Sequence, residues 1–83
     1  MIKLAETLGH NIELRRRQLH LSQEAIVSQT GHQISQTYLS EIERGTANVC
    51  LDKIELLAAI LRTKASLLLQ ANAVQDSRDQ SAS

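Results

Sequence analysis

The stretch ISQTYLSEIERG, residues 34–45, combines one apolar stripe with a polar outer face. Ile34, Leu39 and Ile42 fall on one side of a helix with a period of 3.6 residues. Ser35 is a good N-cap and Gly45 a good C-terminal stop, so we expect a helix over about 36–44. Its outer positions carry hydrogen-bonding groups where a solvated face usually carries Lys and Glu: Gln36, Thr37, Ser40 and Glu41. This face is therefore a candidate binding surface.

Apolar periodicity, the Ser22 cap and the abundance of helix-forming residues predict four further helices and no strand, so the expected fold is all-α. They span about 3–19, 23–29 (capped by Ser22), 51–61 and 65–74. Gly9 is expected to weaken the interior of the first helix. The fourth helix has an apolar stripe that we assign to the core: Leu51, Ile54, Leu57, Ala58 and Leu61.

Length and composition limit the class of protein. With 83 residues, one domain over 1–74 is expected, followed by a disordered tail over 75–83, which is polar and lacks periodicity. The single cysteine, Cys50, allows no internal disulfide, and no apolar run is long enough to span a membrane. No signal peptide is evident. We therefore expect a cytoplasmic protein, encoded by a bacterium or a phage.

Neither catalysis nor metal binding has a candidate arrangement of residues. His10, His20, His32 and Cys50 match no ligand spacing for zinc, and no His–acid pair supports Cys50 as a nucleophile. We expect no enzymatic activity, no metal and no cofactor.

Two opposite charges lie on apolar stripes. Arg16 follows Ile12 by four residues, and Glu43 follows Leu39 by four. Because a charge facing the core needs a partner, we predict a structural salt bridge between Arg16 and Glu43. The neighbouring Arg15 and Arg17 point in other directions, and either could contact phosphate or be solvated.

Helices 2 and 3, joined by a short turn, form a helix-turn-helix arrangement. In such a unit the second helix enters the DNA major groove. Gln36 can bond to adenine, Thr37 can contact thymine, and Glu41 can accept from cytosine. We predict base contacts by Gln36, Thr37, Ser40 and Glu41. The chain has nine acidic and nine basic residues, and this zero net charge argues only against non-specific DNA binding.

The segments LGHNIELRRRQLHLSQEAIV (8–27) and ISQTYLSEIERGTANVCLDKIELLAAIL (34–61) resemble the Cro/CI-type (XRE-type) helix-turn-helix family. The likeness covers about residues 8–69 and implies a lambda-repressor-like five-helix bundle. It also implies that Gln23 contacts a phosphate and that the segment 44–48 grips the DNA backbone. With Arg17 added, the expected backbone contacts are Gln23, Arg44, Thr46, Asn48 and Arg17.

Several positions depart from the family pattern. His32 and Gln33 resemble a two-residue insertion in the turn, which either tilts helix 3 or places His32 near DNA. Cys50 stands where a serine would cap helix 4, and Val27 where alanine is usual. His20 and Arg62 replace glycines expected at helix ends.

Apolar residues outside the core stripes predict a homodimer interface: Leu56, Ile60, Leu67 and Leu68. A twofold dimer would place two recognition helices about 34 Å apart on a palindromic operator. The expected function is a DNA-binding regulator, a dimeric repressor. The alternatives are an antitoxin that represses its own operon, a restriction–modification controller, and a helical module that binds proteins and not DNA. A toxin or polymerase could be a protein partner.

Overall fold

The computed structural model describes residues 4–70, which form five α-helices and no strand. They are α1 (Leu4–Gln18), α2 (Gln23–Gln29), α3 (Gln36–Arg44), α4 (Leu51–Ile60) and α5 (Ala65–Leu68). The all-α expectation is confirmed. The expected tail at 75–83 and the last residues expected in helix 5 lie outside the described residues.

The apolar stripe of α3 forms the centre of the core. Ile34 and Leu39 are fully buried and Ile42 is 1% exposed. They belong to one core cluster with Leu8 and Ile12 of α1, and α1 packs directly on α3. Each such buried side chain contributes about 1.5–3 kcal/mol relative to exposure, so this contact holds the outer face of α3 in place.

Leu51 was expected in the core, but it is 59% exposed. The buried residues of α4 and the residue after it are Ile54, Leu57, Ala58 and Leu61. At 100° per residue, Leu51 lies about 70° from the centre of that buried sector. It therefore falls at the edge of the stripe, where none of the helices within residues 4–70 covers it.

Leu68 was expected at a dimer interface, but it is 2% exposed and belongs to the core of this chain. The short helix α5 lies back on α1 and α4. Asn11 of α1, itself 2% exposed, donates to the carbonyl oxygens of Leu68 and Gln70, each at 2.8 Å. This clamp turns Leu68 inward, and the residue is removed from the predicted interface.

Gly9 was expected to weaken α1, but the helix runs through it without a break. A Cβ at this position would overlap the carbonyl oxygen of Ile42 and lie 2.8 Å from that of Glu43. Gly9 is thus the point where α1 crosses the last turn of α3, and only a residue without a side chain allows this approach.

Four helices are followed by a left-handed residue, and two of these residues are not glycine. The φ angles are 60° at His20, 65° at Gly31, 78° at Gly45 and 59° at Arg62. The next amide in each case bonds back to the helix; for example, Leu21 N donates to Arg16 O at 3.1 Å. His20 and Arg62 therefore keep the conformation for which glycine is preferred, with some strain.

The side chain of Arg15 also closes a helix. Its Nε donates to the carbonyl oxygen of Leu61 at 2.8 Å, and Nη2 donates to that of Arg62 at 3.2 Å. These carbonyl groups directly follow the last residue of α4, at the helix end that carries partial negative charge. Arg15 therefore joins α1 to the end of α4 rather than being simply solvated.

Candidate nucleic-acid interface

Serine side chains begin both α2 and α3. Ser22 Oγ accepts from Ala25 N and Ser35 Oγ accepts from Tyr38 N, both at 3.0 Å. Each hydroxyl satisfies one amide that the first turn leaves free, as the sequence predicted. The two helices form a short-turn pair, with their apolar sides packed together.

The α2–α3 turn, residues 30–35, carries His32 and Gln33 on its outside. His32 and Gln33 are exposed, while Thr30 is 2% exposed and Ile34 is fully buried. Thr30 Oγ1 donates to Val27 O at 2.6 Å, which anchors the start of the turn. Two successive left-handed residues, Gly31 and His32 (both φ 65°), reverse the chain. Ile34, the residue before the Ser35 cap, therefore reaches the core.

The outer face of α3 is graded in exposure. Gln36 and Thr37, its first two residues, are exposed, whereas Ser40 and Glu41 are half-buried. Gln36 and Thr37 thus offer free amide and hydroxyl groups at the N-terminal end of the helix. This is the end that meets base edges in helix-turn-helix proteins.

The structure brings Arg16 and Glu43 together. Arg16 Nε and Nη2 donate to the two carboxylate oxygens of Glu43 at 2.7 and 3.0 Å. The side chains are 11% and 5% exposed. The bond to Glu43 raises the pKa of Arg16 further above its ordinary value. Arg16 Nη1 also donates to Leu21 O at 2.9 Å, so this one guanidinium joins α1, the α1–α2 link and α3.

Gln23 and Ser40 extend this pair into a polar network, which the sequence did not reveal. Gln23 Nε2 donates to Glu43 Oε1 at 3.0 Å, and Ser40 Oγ donates to Gln23 Oε1 at 3.0 Å. Gln23 therefore uses one amide proton and its oxygen inside the protein, which leaves one proton for an external acceptor. No local pattern signals this contact, because Gln23 and Ser40 are 17 residues apart.

The loop of residues 45–50, here the α3–α4 loop, lies beside the C-terminal half of α3. Arg44, the last residue of α3, and Thr46 and Asn48 of the loop are exposed. Thr46 Oγ1 donates to Glu41 O at 3.2 Å, and Asn48 O accepts from the Tyr38 hydroxyl at 2.9 Å. These two bonds attach the loop to α3.

Arg17 lies on the surface of α1. Its Nη2 donates to Glu13 Oε2 at 2.8 Å, and its side chain is 68% exposed. Such an exposed pair contributes little to stability, so Arg17 can exchange Glu13 for another anion at small cost.

Cys50 begins α4 without a side-chain cap bond. Its thiol donates instead to Asp52 Oδ1 at 2.7 Å, and this bond lowers the pKa of Asp52. Within residues 4–70 no group of three or more His, Cys, Asp or Glu side chains could hold a metal ion. None of the helices described there is long and apolar enough to cross a membrane.

Comparison with known proteins agrees with this architecture. The Helix-turn-helix family model matches residues 12–68, more than half of the chain. The chain is also similar to the crystal structure of a hypothetical transcription factor, NHTF, from Neisseria. The TM-score is 0.77 and the sequence identity 35%, over 87% of this chain and 80% of that one. A search of curated proteins finds no match. The chain belongs to the XRE-type helix-turn-helix family of DNA-binding regulators.

Proposed function

We propose that this protein is a sequence-specific transcriptional regulator, a homodimeric repressor that inserts α3 into the major groove of a palindromic operator. The observation that carries the proposal is the exposed pair Gln36 and Thr37 at the start of α3. The opposite side of this helix is buried and joined to α1 by the Arg16–Glu43 ion pair. A rigid helix with free hydrogen-bonding groups at its N-terminal end suits base recognition.

The four proposed base-contacting residues differ in exposure and in the hydrogen-bonding groups that they can offer to a base. Gln36 can form two hydrogen bonds with adenine, and Thr37 can offer its hydroxyl or its methyl group. Glu41 is half-buried and can accept from a cytosine amino group. Ser40 donates its proton to Gln23, so toward DNA it can act only as an acceptor.

Backbone contacts would surround this face. Gln23, at the start of α2, has one amide proton left for a phosphate oxygen, and the helix N-terminus favours an anion there. Arg44 at the end of α3 and Thr46 and Asn48 of the α3–α4 loop are exposed and would bind the sugar-phosphate backbone. Thr46 could donate to a phosphate only after its hydroxyl leaves the carbonyl oxygen of Glu41. Arg17 would add a further phosphate contact after it leaves Glu13.

The proposed dimer surface consists of Leu56 and Ile60 of α4 and Leu67 of α5, all half-buried. Leu56 and Ile60 are one helical turn apart, so they share one flank of α4. A second copy would complete their burial, with residues 1–74 as the DNA-binding domain and α5 contributing to the interface. A dimer on an operator that overlaps a promoter would exclude polymerase.

Three biological settings fit this proposal: a phage or plasmid repressor, a restriction–modification controller, and an antitoxin that represses its own operon. The alternative from a different class is a helical module that binds a protein, such as a toxin or polymerase. Its support is the zero net charge of the chain. Phosphate neutralisation normally requires a basic surface, and here the nine basic side chains are balanced by nine acidic ones.

Selection from random DNA duplexes separates these classes. We expect enrichment of a palindromic motif, bound with nanomolar to sub-micromolar affinity at low salt and much more weakly at higher salt. Analytical ultracentrifugation of the complex should show two protein chains per duplex. If no motif is enriched, the regulator proposal fails and the protein-binding module is favoured.

The contribution of Gln36 is tested by Gln36→Ala. Loss of a two-bond contact should reduce the preference at one base pair of each half-site by about 1–3 kcal/mol. The matched control is Gln29→Ala, which removes an exposed glutamine from the C-terminal end of α2, outside the proposed DNA-contacting residues. Binding to every single-base variant of the selected site provides the measurement. Unchanged preference at all positions would assign base recognition to another residue.

A further inference from the structure

The α3–α4 loop is attached to α3 at two points. Thr46 donates to Glu41 O through its amide (3.0 Å) and its hydroxyl (3.2 Å). Farther along the loop, the hydroxyl of Tyr38 donates to Asn48 O at 2.9 Å. The loop begins at Gly45, where a Cβ would lie 2.9 Å from Glu6 Cα of α1. The loop backbone therefore has little freedom relative to α3.

Of the two attachments between the loop and α3, the one made by Tyr38 joins residues that are farther apart along the chain. It stands in α3 between the exposed Thr37 and the buried Leu39, and its ring packs against the core. The hydroxyl extends past the helix to the backbone of Asn48, ten residues later. Tyr38 thus connects the first turn of α3 to the far end of the loop.

The phenol of Tyr38 is suited to remain a donor. Partial burial raises its pKa above the ordinary value of 10.0, and the nearby Cys50, Asp52 and Glu41 raise it further. The hydroxyl therefore stays protonated throughout the neutral range and can donate to a carbonyl oxygen, which accepts only.

We infer that Tyr38 is a positioning residue for DNA binding: it holds the α3–α4 loop in register with the base-contacting face of α3. The inference rests on the proposed function, in which Asn48 and its neighbours contact the DNA backbone. A loop that is already ordered loses little conformational entropy on binding. With the Tyr38 hydroxyl in place, the loop is already positioned when α3 contacts the bases. Without it, the loop becomes ordered only when DNA binds, and the lost conformational entropy weakens binding.

The test is Tyr38→Phe, which removes the hydroxyl and keeps the ring that packs on the core. The control Ser28→Ala removes an exposed hydroxyl from α2. We expect Tyr38→Phe to bind the selected duplex about 3- to 10-fold more weakly, the range for one hydrogen bond. The loss should be the same for every single-base variant, because the loop contacts the backbone and not the bases. Ser28→Ala should bind like the unaltered protein.

Two further measurements separate positioning from a general effect on the fold. Amide hydrogen exchange of residues 46–49 in the free protein should become faster in Tyr38→Phe, while exchange in α1 and α4 stays unchanged. In a double-mutant cycle, Tyr38→Phe should weaken binding less in an Asn48→Ala background than alone, because both changes act through the same loop.

Three results would overturn the inference: unchanged affinity of Tyr38→Phe, additive losses in the cycle, or an altered base preference, which would mean that Tyr38 itself contacts a base. In each of these the unaltered protein still binds its selected duplex, so the proposed function stands. If the unaltered protein binds no duplex, the proposed function and the positioning role both fail.

Discussion

The carboxylate of Glu43 accepts three hydrogen bonds, and its removal should be the most damaging single change in the polar network. Two of these bonds come from Arg16, at 2.7 and 3.0 Å, and one from Gln23, at 3.0 Å. Glu43→Ala would leave the guanidinium of Arg16, only 11% exposed, without its counter-charge. Glu43→Ala would also remove the acceptor of the Gln23 side-chain amide, whose oxygen accepts from Ser40.

Breaking a buried ion pair by removing one partner costs about 3–5 kcal/mol. Arg16 keeps the carbonyl oxygen of Leu21 and a little solvent contact, so we expect the lower end, about 3 kcal/mol. For a domain of this size, 1 kcal/mol corresponds to about 4–8 °C in Tm, which predicts a fall of about 12–24 °C. This is a large share of the stability of a small domain, typically about 5–15 kcal/mol.

Thermal and urea unfolding followed by circular dichroism measure this loss. The control is Glu13→Ala, which also removes one carboxylate. Glu13 belongs to a surface ion pair in which its own side chain is 36% exposed and that of Arg17 is 68% exposed. That variant should lose only about 0.3–0.5 kcal/mol. High salt should leave the difference between the two variants almost unchanged, because the buried pair is poorly screened. Equal stability of Glu43→Ala and Glu13→Ala would refute the buried-pair argument.

Three other predictions follow from single positions. Gly9→Ala should destabilise the fold by about 1–3 kcal/mol in urea unfolding, because the new Cβ meets the Ile42 carbonyl; helix propensity alone predicts a gain of about 1 kcal/mol. His20→Gly should stabilise it by about 0.5–1 kcal/mol by relieving a left-handed conformation, and any loss would contradict that strain. Tyr38, the one tyrosine of the chain, should titrate above pH 10.0 by absorbance. Because folding raises the pKa of Tyr38, its contribution to the free energy of unfolding is fully present below pH 10.0. That contribution is lost as the pH rises through the pKa of the folded protein. A titration midpoint at or below pH 10.0 would contradict the argument that burial raises this pKa.

Local signals in the sequence predicted the helices and much of the candidate site. Ser22 and Ser35 mark helix starts because a side-chain hydroxyl caps the adjacent turn in any fold. Gly45 marks a helix end for an equally local reason, its left-handed backbone. The stripe of α3 is predictable from its period, and so is the placement of Arg16 and Glu43 toward the interior.

What the sequence alone determined is therefore the position of each residue along and around its own helix. Tertiary structure decided which helices meet and how closely. Leu68 is in the core because α5 folds back on α1, and Gly9 is needed because α1 touches the backbone of α3. The bond between Gln23 and Ser40 likewise exists only because α2 and α3 pack at one particular angle. Helical period fixes direction around an axis, but the distance and angle between two axes depend on all the side chains packed between them.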